Sequence, residues 1–97
     1  MTGAQREWAA ARDCLVRAVT GLGFSEELAL LMARELKSPR AMDRMTSYIR
    51  QARPSSEEML VDEMLAIVSE IEAWRAKKDS LRAQASYNEW LLRREEE

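Results

Sequence analysis

Histidine is absent from this sequence, and cysteine, proline and glycine are scarce: one, two and three residues among 97. Without histidine the chain lacks the side chain that most often serves as a general base near neutral pH, and also the commonest nitrogen ligand for metals. The lone Cys14 cannot close a disulfide within the chain. With no histidine or second thiol to activate it, it reads as a packed thiol rather than a nucleophile, and it suits a reducing, cytoplasmic setting. No apolar run approaches the about 20 residues needed to cross a bilayer, and Met1 to Trp8 lacks the basic start and apolar run of a secretory leader. A net charge of −2 gives the molecule as a whole no bias towards nucleic acid.

What is present favours helix. Ala, Leu, Met, Glu and Arg far outnumber β-branched residues, and 46% hydrophobic with 33% charged residues describes a chain that folds. The length suits one small domain with a modest core. Breaks in the pattern mark four helical blocks. In the first, about Thr2 to Thr20, Trp8, Ala11, Leu15, Val19 and Leu22 share a face, and Gly21 with Gly23 supplies a left-handed stop. Ser25 caps a second helix, about 26 to 36, with Glu26 and Glu27 at its positive end. That helix is apolar nearly all round, which predicts the buried centre of a bundle. Ser38-Pro39 opens a third helix with apolar residues Ala41, Met45, Tyr48, Ile49 and Ala52, and Pro54 ends it.

From Ser55 to Glu97 the chain runs forty-three residues without a glycine or a proline. Ser55 and Glu58 have the spacing of a capping box. Leu60, Met64, Ile67, Ile71 and Trp74 then follow at alternating steps of four and three, a heptad stripe expected to be core. A helix over most of this stretch is about 60 Å long, too long for the interior of a small domain. Lys77-Lys78-Asp79-Ser80 interrupts the stripe. Leu81, Ala85 and Leu92 stay roughly in line with it beyond that point, while Tyr87, Trp90 and Leu91 project from another side. Two readings fit: a continuing helix, kinked or straight, or a break near residues 77–80 with the tail folded back. Tyr87, Trp90 and Leu91 are candidates for contact outside the bundle, since tyrosine and tryptophan are enriched at interface hot spots. The alternative is that they pack on the first helix. Four of the six methionines lie between residues 42 and 64, which predicts an adaptable junction.

Charge falls in blocks. Arg34 to Arg53 holds six basic residues against two acidic ones, and Pro54 to Ala73 holds six acidic residues and no basic one. These are either solvated faces or complementary patches within or between molecules. Arg40, Arg44 and Arg50 on the third helix form a candidate basic patch for nucleic acid, although the acidic start of the fourth helix would repel phosphate nearby. On the fourth helix, Glu58 with Asp62 and Glu63 with Glu70 share faces, as in helical metal-dependent hydrolases. Such sites need carboxylates converging from at least two helices, and no matching ExxE or ExxD pair occurs elsewhere in the sequence.

Gly21-Leu22-Gly23-Phe24, then Ala29-Leu30, then Ala41, Tyr48 and Ile49, resembles the three-helix pattern of ubiquitin-associated (UBA-like) domains over residues 15–49. The short segment Lys37-Ser38-Pro39-Arg40 stands where that family has a longer Asn/Gly-rich connection. The resemblance implies a ubiquitin contact at Leu22, Gly23, Phe24, Tyr48 and Ile49. The plain packing alternative has Phe24 plugging a bundle core after a glycine turn. The whole chain also resembles small uncharacterised helical proteins of anaerobic bacteria, a likeness that carries no functional residues.

The expectation is an all-α single domain: a three-helix bundle over 1–53 and a long C-terminal helix over 55–94 packed across it. No catalytic residue, cofactor or metal is expected. The leading functional reading is a non-enzymatic interaction, scaffold or regulatory module that self-associates through its C-terminal helix as a homodimer. The alternatives are a nucleic-acid-binding regulator using the third helix and a metal-dependent hydrolase using the fourth.

Overall fold

The computed structural model describes residues 2–96, so Met1 and Glu97 lie outside the described residues. Four α-helices follow one another: α1 (Gly3–Gly21), α2 (Glu26–Leu36), α3 (Pro39–Ala52) and α4 (Glu57–Glu96). The caps explain where each begins. Thr2 accepts from the Gln5 amide while the Gln5 side chain accepts from the Thr2 amide, a capping box that opens α1. Ser25 accepts from the Leu28 amide and Ser38 from the Ala41 amide, with Pro39 in the first turn of α3. At the head of α4 the capping residue is Ser56, which accepts from the Met59 amide, and not Ser55. That one-residue shift puts Met59 rather than Glu58 at the third helical position, so no capping box with Glu58 forms there.

The helix ends are equally local. Gly23 takes φ of 94°, its amide donates to the Thr20 carbonyl, and the Phe24 amide donates to Val19. This is a Schellman closure, whose left-handed residue is best filled by glycine. Arg53, in the left-handed region at φ 45°, ends α3 ahead of a buried Pro54. Between α2 and α3, Lys37 has φ of 68° and ψ of −44°, and the Ser38 amide donates to the Leu36 carbonyl at 2.8 Å. This is a γ-turn of the rare positive-φ kind, strained for a lysine. Trp8 of α1 secures it, its indole N–H donating to the Lys37 carbonyl at 2.8 Å.

The core runs through all four helices. Ala11, Leu15 and Val19 come from α1, Ala29, Met32, Ala33 and Leu36 from α2, Ala41, Met42, Met45 and Ile49 from α3, and Leu60, Met64 and Ile67 from α4. Four methionines are core filling; Met59 alone of the junction methionines is exposed. α1 packs against α2 and α3, and α4 against α2 and α3. Two expectations are corrected. α2 is not the buried centre: Leu30 and Leu31 face outward, because α1, α3 and α4 together leave part of this 11-residue helix in water. The heptad stripe is also not core to its end, for Trp74 is 58% exposed. α2 and α3 are short, and α4 outruns them after Ile71.

α4 runs as one α-helix through residues 77–80 with no break, and the tail does not fold back. Lys77 and Lys78 favour helix and Asp79 and Ser80 do so only weakly, but nothing in the segment removes a backbone donor or relaxes the chain as proline or glycine would. The fold is therefore a compact bundle with a projecting arm, 67 Å along its longest axis.

Candidate interaction helix

The arm is defined by exposure. From Glu72 to Arg94 every residue except half-buried Leu91 is exposed, and no Cα of α4 approaches α1 within 8 Å among the described residues. Tyr87 and Trp90 thus do not pack on the first helix; they stand 58% and 53% exposed. Their rings stack on one another at 6.1 Å between centroids and 26° between planes, and Arg94 lies 5.5 Å over Trp90. Glu89 and Arg93 form an i,i+4 ion pair beside them. Leu81 and Leu92 are also open to solvent.

One feature escaped the sequence reading although the sequence contains it. Each tryptophan is followed four residues later by a basic side chain that lies over its ring: Trp8 with Arg12, Trp74 with Lys78, Trp90 with Arg94. A spacing of four puts cation and ring on one helix face. The Trp-to-basic spacing is the signal that would have found it.

The remaining candidates are scattered. Arg44 is paired with Glu70 across the α3–α4 junction, so the opposite charge blocks meet within one molecule. Arg40 and Arg44 line the cleft beside α4, whereas Arg50 lines a separate groove with Arg17 and Arg53. The three arginines therefore do not form one patch. Glu58 and Asp62 are exposed, Glu63 is half-buried, and Glu70 is occupied by Arg44. Among the described residues no three His, Cys, Asp or Glu side chains come together to hold a metal ion. Cys14 is free and half-buried.

Of the residues that the UBA-like resemblance implicates, Ile49 is buried, while Leu22, Phe24 and Tyr48 are half-buried against the core. Leu22 lies on the Arg50 groove and Tyr48 on the cleft towards Glu63. Among the described residues no helix is long and apolar enough to cross a membrane. Comparison with protein-family models, with curated proteins and with solved structures finds no match to this chain.

Proposed function

We propose that this protein is a non-enzymatic interaction module of the scaffold or regulatory kind, which self-associates through the projecting half of α4. The observation that supports this reading most is the set of large apolar side chains the arm holds in water: Trp74, Leu81, Tyr87, Trp90 and Leu92. A helix of this length gains most of its stability from packing an apolar face, and the bundle covers only the first half of α4. Large exposed apolar surfaces mark association sites in soluble proteins. A single unpaired thiol fits a cytoplasmic setting. Sedimentation equilibrium from about ten to several hundred micromolar tests the reading. Twice the chain mass at the upper end, with dissociation on dilution, supports it, and the chain mass throughout overturns it.

Use of the arginines on nucleic acid has one feature in its favour, the groove shared by Arg17, Arg50 and Arg53. Retention on duplex DNA at low salt that falls steeply as salt rises supports this second reading, and no retention at low salt removes it.

A further inference from the structure

The heptad that seats α4 on the bundle does not stop at Ile71. Continuing the steps of three and four reaches Trp74, Lys78, Leu81, Ala85, Asn88 and Leu92, all on one stripe of an unbroken helix. In the first half of α4, Leu60, Met64 and Ile67 are buried against α2 and α3, and Ile71 is half-buried. In the second half all six seam residues are exposed. Tyr87 and Trp90 lie off this stripe.

We propose that a second copy of the chain covers this stripe, and that the two α4 arms pair antiparallel in a single register. This rests on the self-association reading above and specifies its face and direction. In an antiparallel pair, each a position faces a d position of the other helix. One register sets Trp74 against the partner's Leu92, Lys78 against the partner's Asn88, and Leu81 against the partner's Ala85. The two-fold axis repeats these three layers in reverse. Each apolar residue then meets an apolar residue, the larger facing the smaller. The two polar seam residues meet each other, the ammonium donating to the amide oxygen, and a buried polar pair of this kind fixes register.

Charge on the flanks selects the same arrangement. Arg75 falls beside the partner's Glu89, twice by symmetry, and Gln84 meets its own copy across the axis. The one like-charge meeting is Arg82 with its copy, where long exposed side chains can diverge. A parallel in-register pair would instead bring Lys78 onto Lys78 within the seam and Lys77 beside Arg82. Shifting the antiparallel pair by one heptad sets Lys78 against the partner's Leu81 in one direction, and Ala85 against the partner's Asn88 in the other. The partner's Leu92 arrives beside Trp74 at the edge of the bundle, where a cleft of about 490 Å³ lies open between Arg40, Arg44, Ile71 and Trp74.

The test is cross-linking of the full chain in a Cys14→Ser background, with Gln84→Cys or Lys78→Cys and a short bis-maleimide. Both sites are exposed, so neither substitution threatens the fold. In the antiparallel register the two Gln84→Cys sites are neighbours, while the two Lys78→Cys sites lie about 15 Å apart along the axis. Efficient covalent dimer at Gln84→Cys and little at Lys78→Cys is expected. Arg75→Glu should weaken the dimer roughly tenfold, and Arg75→Glu with Glu89→Arg should restore it. Linking at Lys78→Cys, alone or equally with Gln84→Cys, overturns the register. A dimer by mass that links at neither site overturns the choice of face while leaving self-association standing. A chain that stays monomeric throughout overturns both.

Discussion

The two halves of α4 carry one pattern in two environments. Leu60, Met64 and Ile67 sit at heptad spacing under α2 and α3, and Trp74, Leu81 and Leu92 continue that spacing in water. The difference lies in what the rest of the chain supplies. α2 and α3, 11 and 14 residues long, end where α4 has used less than half of its 40. A helix cannot bury a stripe longer than its partners, so the surplus stripe needs a partner from another molecule or stays wet. Periodicity thus tells which face of a helix is sticky, and the lengths of the neighbouring helices tell where that face is satisfied.

Substitutions separate the halves most sharply at equivalent seam positions. Leu60→Ala opens a cavity in the shared core and should cost about 2–5 kcal/mol in urea unfolding, whereas Leu81→Ala should leave the diluted monomer within about 0.5 kcal/mol of wild type. Equal losses at the two sites would erase the distinction. A smaller effect is expected inside the bundle at Thr46, whose buried hydroxyl has no hydrogen-bond partner. Thr46→Val should raise stability by about 1–2 kcal/mol, read from the same unfolding curves, because it removes a desolvated polar atom while keeping the shape.

The turn that sets the length of α2 gives a third contrast. Lys37→Gly relieves positive-φ strain and should stabilise by up to about 1 kcal/mol in thermal unfolding, with Trp8→Phe losing about as much through the missing hydrogen bond to the Lys37 carbonyl. Least affected should be Arg44→Ala. Its pair with Glu70 is solvent-exposed, so a loss below about 0.5 kcal/mol is expected. A larger loss would mean that charge as well as the Leu60–Ile67 seam holds α4 to the bundle.

Much of the fold was legible because its boundaries are local. Ser25, Ser38 and Gly23 act within three or four residues of themselves, and each lies where its side chain or backbone freedom predicts. The cap of α4 falls at Ser56 and not Ser55, a choice hidden in the sequence because both offer the same hydroxyl and only the backbone path chooses between them. The exposed side of α2 is hidden in the sequence for a different reason. Its leucines surround the helix, and the number of neighbours that cover it is a tertiary fact.

The γ-turn at Lys37 leaves no mark in composition, since lysine has no preference for positive φ, and the indole that secures it comes from residue 8. Along α4, the displacement of Tyr87 and Trp90 from the seam was readable. Their mutual stacking follows from a spacing of three on one helix, whereas the exposure of the seam from Trp74 onward needed the lengths of the other helices.

In the proposed pairing the exposed continuation of the heptad, rather than the Tyr87–Trp90 face, joins two chains. Sedimentation equilibrium at several hundred micromolar on three proteins tests it directly: wild type, the triple variant Trp74→Ala, Leu81→Ala, Leu92→Ala, and the double variant Tyr87→Ala, Trp90→Ala. Wild type and the double variant should be dimers and the triple variant a monomer; a dimeric triple variant beside a monomeric double variant would overturn the pairing.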